Sequence, residues 1–110
     1  MKRVLIADDE PIERMIVSST IEKYFSEDLT VVSAANGREA VEQFFAGDCQ
    51  IALLDIEMPG MNGLEAAEQI RKRDKNCSII FLTAFDEFNY ARRAIVVGAK
   101  EYLLKPVEDQ

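Results

Sequence analysis

The sequence predicts a single parallel α/β domain, and three observations lead there. Short apolar runs of strand length alternate along the chain with longer amphipathic stretches. Ile51-Ala52-Leu53-Leu54 is apolar without alternation, as a strand covered on both faces should be. No repeat, low-complexity tract or linker interrupts the 110 residues, a length close to the ~100–150 of one domain.

Each element has a local reason. Val4-Leu5-Ile6-Ala7 is too short for a buried helix and rich in β-formers. Pro11 suits a first helical turn, where its missing N–H costs nothing, and Ile12, Ile16, Val17, Ile21 and Tyr24 follow as an apolar stripe. Thr30–Ala34 reads as the second strand. Asn36-Gly37-Arg38-Glu39 offers an N-cap with Glu at N3, ahead of Ala40, Val41, Phe44 and Phe45 at helical spacing. After the third strand, Ile51–Leu54, the segment Met58–Gly63 is a turn-rich loop. Leu64, Ala67 and Ile70 begin a third helix that ends in the charged run Arg71–Lys75. Ser78–Thr83 is strand four, and a helix from about Asp86 to Val97 is expected to turn Phe88, Ala91 and Ile95 inward, with Gly98 as its C′ residue. Tyr102-Leu103-Leu104 makes strand five. Five strands joined by four helices result.

Composition narrows the function. There are 13 Lys+Arg against 20 Asp+Glu, and the net charge of −7 argues against nucleic acid or anionic membrane as a partner of this segment. With no histidine, Ser-His-Asp and Cys-His catalysis, His-ligated zinc and a phosphohistidine carrier are all excluded. No stretch approaches the roughly 20 apolar residues that span a bilayer, and the run after Lys2-Arg3 is too short for a signal peptide. Cys49 and Cys77 form no CxxC, and two thiols in a cored domain suit a reducing cytoplasm. If strands three and four are aligned neighbours, both thiols lie at the rim opposite the strand ends considered next.

Chemistry gathers at those strand ends. Strand one runs into Asp8-Asp9, strand three into Asp55, strand four into Thr83 and strand five into Lys105-Pro106. Ligands of open α/β sheets bind beyond the carboxyl ends of the strands, so these side chains should converge. A lone Asp after a strand is most often a cap or turn residue, but four of five strands end in a group of the right type. Three clustered carboxylates repel and raise one another's pKa unless a hard dication such as Mg²⁺ sits among them. The chemistry that uses the whole set is phosphoryl transfer to a carboxylate. Asp55 would be the nucleophile, already ionised and needing no base, with the metal, Lys105 and the Thr83 hydroxyl balancing the phosphoryl oxygens.

Asp8-Asp9, Leu54-Asp55-Ile56-Glu57-Met58-Pro59-Gly60-Met61-Asn62-Gly63, Thr83-Ala84 and Tyr102-Leu103-Leu104-Lys105-Pro106 together resemble the response-regulator receiver domain of bacterial two-component signalling. The resemblance covers nearly the whole chain in order. It implies a flavodoxin-like, doubly wound sheet of strand order 2-1-3-4-5 and phosphorylation of Asp55 by a partner histidine kinase. It implies Mg²⁺ held by Asp9, Asp55 and the backbone carbonyl of Glu57, with Asp8 helping through water. It also implies a switch pair, Thr83 and Tyr102, and commonly a cis Lys105-Pro106 bond. The segment Thr83–Ala91 is similar to receivers attached to AraC-type DNA-binding domains, which suggests a transcriptional regulator whose output domain lies outside these residues.

Glu57 and Phe85 flank the phosphoryl site at positions that vary in the family. Glu57 either orients the metal or is a solvated acid; Phe85 is placed to shield the phosphoryl group from water. Right-handed crossovers put the first helix on one face and the next three on the other. A receiver adds a fifth helix beside the first, but only Val107–Gln110 follow Pro106, so residues 1–110 read as a receiver lacking its last helix. The bared flank invites a covering partner or a homodimer. Three alternatives compete. A haloacid-dehalogenase-type phosphatase places its nucleophile after the first strand and needs a longer chain. A flavodoxin-like FMN binder would not carry the acidic loop Asp8-Asp9-Glu10. A pseudo-receiver would not keep the full set of acids with Thr83 and Lys105.

Overall fold

In the computed structural model, residues 2–25 and 29–105 are described. The chain runs β1 (Lys2–Ala7), α1 (Pro11–Phe25), β2 (Leu29–Ala34), α2 (Gly37–Ala46), β3 (Ile51–Leu54) and α3 (Gly63–Arg73). It continues with β4 (Ser78–Thr83), α4 (Phe88–Val96) and β5 (Glu101–Leu104). The strands form one sheet of order β2-β1-β3-β4-β5, every neighbouring pair parallel. The expected doubly wound fold is thus present, with the direction of strand addition reversing between β1 and β3.

Register sets the faces. Leu5, Ala7, Ala52, Leu54, Ile79 and Phe81 join the main core with Phe44 of α2, Leu64, Ala67 and Ile70 of α3, and Ala94 of α4. Among the described residues, no α1 side chain belongs to that core. Ile6, Leu53, Ile80 and Leu82 alternate onto the other face, where Ile6, Leu53 and Leu82 line a shallow groove with Val17 of α1. Val4 and Ile6 are buried on that side, which is why the first strand carries no polar alternation.

Helix starts are locally coded. Asn36 accepts the Glu39 N–H at 2.8 Å, while the Glu39 carboxylate reaches one residue further back, to the Ala35 N–H at 2.6 Å. A full capping box opens α3, with Asn62 and Glu65 bonding reciprocally at 2.9 Å. Gly98, at φ 75°, takes the left-handed turn after α4.

Two helices depart from the expected apolar faces. In α1, Val17 and Ile21 are half-buried, but Ile12, Met15 and Ile16 are 69%, 63% and 59% exposed. At about 100° per residue, Ile12 and Ile16 lie well round the helix from Val17 and Ile21, so the single stripe is two. The Tyr24 side chain lies outside the described part. In α4, Phe88 and Ile95 point to solvent, 76% and 77% exposed, whereas Ala94 and the C-cap residue Val97 are buried and Tyr90 and Ala91 partly so. This helix has apolar residues on most sides, and Tyr90, Ala91 and Ala94 are the ones turned toward the protein. Cys49 and Cys77 are free, buried and just ahead of β3 and β4, at the end of the sheet away from the strand termini described next. Burial raises the pKa of both thiols.

Candidate phosphoacceptor site

Parallel strands end together, so the residue after each strand reaches one crevice. Backbone hydrogen bonds continue past the strands: the Asp8 N–H donates to the Ala34 carbonyl at 3.1 Å, Asp55 to Ala7 at 2.9 Å and Lys105 to Thr83 at 2.7 Å. These place Asp8 and Asp55 side by side and bring Lys105 in from β5. Lys105 Nζ lies 2.8 Å from Asp8 Oδ2, 2.5 Å from Glu13 Oε1 and 3.7 Å from Asp55 Oδ2. Asp8 and Asp55 are buried and Asp9 is exposed, and the three offer carboxylate oxygens within 4.8 Å of one another.

The remaining bonds fix these groups. Asp8 Oδ1 accepts the Glu10 N–H at 3.0 Å, and Arg14 Nη1 donates to the Asp8 carbonyl at 2.6 Å. Asp55 Oδ1 accepts the Ile56 N–H at 3.0 Å. Thr83 is fully buried, and its hydroxyl oxygen accepts the Phe85 N–H at 3.2 Å. The carbonyl of the same Phe85 accepts the Tyr102 hydroxyl at 2.9 Å, so one residue joins the expected switch pair. The Phe85 side chain is itself exposed. Glu57 is exposed and accepts a hydrogen bond from the Tyr90 hydroxyl of α4, which pushes the Tyr90 pKa up to about 12. The expected cis Lys105-Pro106 bond lies outside the described residues, as do Val107–Gln110.

Electrostatics follow from burial. Desolvation pushes the Asp55 carboxyl up to about 6, against the Lys105 ammonium that favours its ionised form, and Asp8 and Asp9 add to the rise. Burial alone would lower Lys105, but its hydrogen bonds with Asp8 and Glu13 outweigh that and raise it. The same contact with Lys105 lowers the pKa of Glu13. A hard dication suits the three-carboxylate group: its donors are all oxygen, and its charge would offset the strain on the buried, ionised Asp55.

Asp8, Asp9, Asp55 and Lys105 thus meet at the strand ends, while Thr83 stands buried at the end of β4, tied to Lys105 through its backbone carbonyl. Glu13, Arg14 and Tyr90 were not foreseen. Glu13 stands in the first turn of α1, five residues after Asp8, a spacing that does aim it at the strand end; nothing in the sequence shows that Lys105 reaches it.

The family model of the response regulator receiver domain matches residues 4–110. The chain belongs to the response-regulator receiver family. It is 40% identical over 107 residues to the chemotaxis protein CheY of Thermotoga maritima, covering 97% of this chain and 88% of that protein. It is 36% identical over 110 residues to the transcriptional regulatory protein YesN of Bacillus subtilis, covering 100% of this chain but 30% of YesN. The crystal structure of the response regulator TrrA of Thermotoga maritima in complex with Mg²⁺-BeF is similar in fold, with a TM-score of 0.82 and 40% identity. That match covers 98% of this receiver and 90% of TrrA. Receivers of this family are phospho-switches that take phosphoryl groups from histidine kinases and use Mg²⁺. Among the described residues, no helix of this receiver is long and apolar enough to cross a membrane.

Proposed function

We propose that Asp55 is the phosphoacceptor, Lys105 and Thr83 its phosphoryl-binding partners, and Asp8, Asp9, Asp55 and the Glu57 carbonyl the Mg²⁺ ligands. The observation that carries this reading is the meeting of Asp8, Asp55 and Lys105 within 4 Å contacts at the strand ends. An Asp55 carboxylate oxygen attacks phosphorus; the bond from phosphorus to the kinase's histidine nitrogen breaks, and its electron pair leaves with the imidazole. When bound, Mg²⁺ supplies positive charge to the phosphoryl oxygens. The Lys105 ammonium adds a second positive centre, and the Thr83 hydroxyl, which accepts the Phe85 N–H through its oxygen, donates its own proton to a phosphoryl oxygen. Tyr102 responds through the Phe85 carbonyl that it already holds. Phe85 and Glu57 flank the entry and tune the lifetime of the acyl phosphate.

The output is a C-terminal domain, DNA-binding and of AraC type, through which a cytoplasmic regulator controls transcription. Similarity over the receiver to YesN, a transcriptional regulatory protein of which this chain spans 30%, supports the transcriptional role, and the likeness of Thr83–Ala91 to AraC-type regulators suggests the kind of output domain. The solvent-facing Ile12, Met15 and Ile16 of α1 and half-exposed Leu103 of β5 support a fifth helix packing beside α1 between receiver and output domain, or a second copy covering that flank.

Intact-mass analysis after incubation with a small phosphodonor and Mg²⁺ tests the acceptor. The wild type should gain one phosphoryl group and Asp55→Asn none. An equal adduct on both would remove Asp55 from the mechanism.

A further inference from the structure

The site holds a carboxylate that phosphoryl transfer does not require. Glu13 Oε1 is the nearest acceptor to the Lys105 ammonium, at 2.5 Å, closer than Asp8 at 2.8 Å and well inside Asp55 at 3.7 Å. An ammonium has three donors, and here two are committed to carboxylates other than the acceptor. The carboxylates of Asp8, Glu10 and Glu13 also crowd within 4.8 Å of one another, and Lys105 is the cation bonded to two of them. The two holders differ in what release would mean. Asp8 is 5% exposed at its side chain, so losing the ammonium would strand a buried charge; Glu13 is 38% exposed and can be rehydrated.

We propose that Glu13 is a positioning residue that holds Lys105 short of Asp55 in the unphosphorylated state and competes with the phosphoryl group for it. The inference rests on the reading of Asp55 as acceptor and Lys105 as its counter-charge. On phosphorylation the ammonium exchanges Glu13 for a phosphoryl oxygen, keeps Asp8, and leaves Glu13 to water. Glu13 thereby sets how tightly the receiver holds its phosphoryl group.

Two variants separate contact from charge. Glu13→Gln removes the charge at the same reach, and Glu13→Asp keeps the charge but withdraws it by one methylene. Calorimetric titration of the 110-residue chain with beryllofluoride at saturating Mg²⁺ should show both variants binding about fivefold tighter than wild type, the scale of one partly exposed ion pair. Unchanged affinity for Glu13→Gln, or a wild-type affinity for Glu13→Asp, overturns the holding role. Thermal unfolding in metal-free buffer supplies the second arm. Glu13→Gln should be more destabilising with Lys105 present than in a Lys105→Met background, and equal effects overturn the proposal. A wild type with no Asp55-dependent beryllofluoride binding defeats the underlying reading, a result distinct from altered or unaltered affinity among the Glu13 variants.

Discussion

At the scale of single residues, Asp55 carries the sharpest consequence. Its carboxyl titrates at about 6 in the folded protein against an ordinary 3.8, because burial opposes its ionised form. Above pH 6 the folded state holds a charge it disfavours relative to the unfolded chain. As pH falls through 6 the folded state takes up the proton first, and the penalty is gone near the unfolded value. Asp55→Asn should therefore stabilise the metal-free protein at pH 7.5 by about 2–3 kcal/mol, and that advantage should shrink between pH 6 and 4. Urea melts at several pH values measure it; a pH-independent difference would contradict the burial argument. The meeting of Asp8, Asp9, Asp55 and Lys105 was legible in the sequence because a parallel sheet aligns its strand ends, so position after an apolar run is a spatial coordinate. Glu13 and Tyr90 were not. They meet their partners across 92 and 33 residues, with no spacing rule to announce the encounter.

Elements were legible where a pattern had one solution. All five strands and four helices stand where apolar runs and caps put them, within a residue or two at most ends. The faces of α1 and α4 were not, since Ile12, Ile16, Phe88 and Ile95 give helices with more than one apolar side, and periodicity cannot choose between them. The start of α3 offers a paired test of how the element supports the site. Asn62→Ala removes the capping box and should lower stability by about 1 kcal/mol while leaving beryllofluoride binding intact. Gly63→Ala should do more: its Cβ would fall 2.0 Å from the Asp55 carbonyl oxygen, so the acceptor loop must shift. We expect a loss of about 3 kcal/mol or more, together with weakened beryllofluoride binding. Equal, purely thermal effects of the two variants would show that the close approach at Gly63 does not position Asp55.

For the molecule as a whole, the asymmetry of the two sheet faces matters most. One side is closed by α2, α3 and α4 around a continuous core, while α1 stands on the other with Ile12, Met15 and Ile16 open to solvent. A version extended beyond residue 110 should melt several degrees higher, and hydrogen exchange in α1 should slow, as that flank becomes covered. Identical melting and exchange in the extended chain, with a concentration-independent monomer by light scattering in both, would argue against any cover on this flank.

The pairing of Lys105 with Asp8 spans 97 positions of the chain. A polypeptide emerging from the ribosome therefore cannot bring Lys105 to Asp8 and Asp55 until β5 has been made and has added to the far edge of the sheet. Non-local assembly of this kind is slow, since long loops must close before any contact rewards them. The pocket is in this sense a certificate that the chain has been made as far as β5: a chain stalled or clipped before it keeps Asp55 but not the ammonium that answers it.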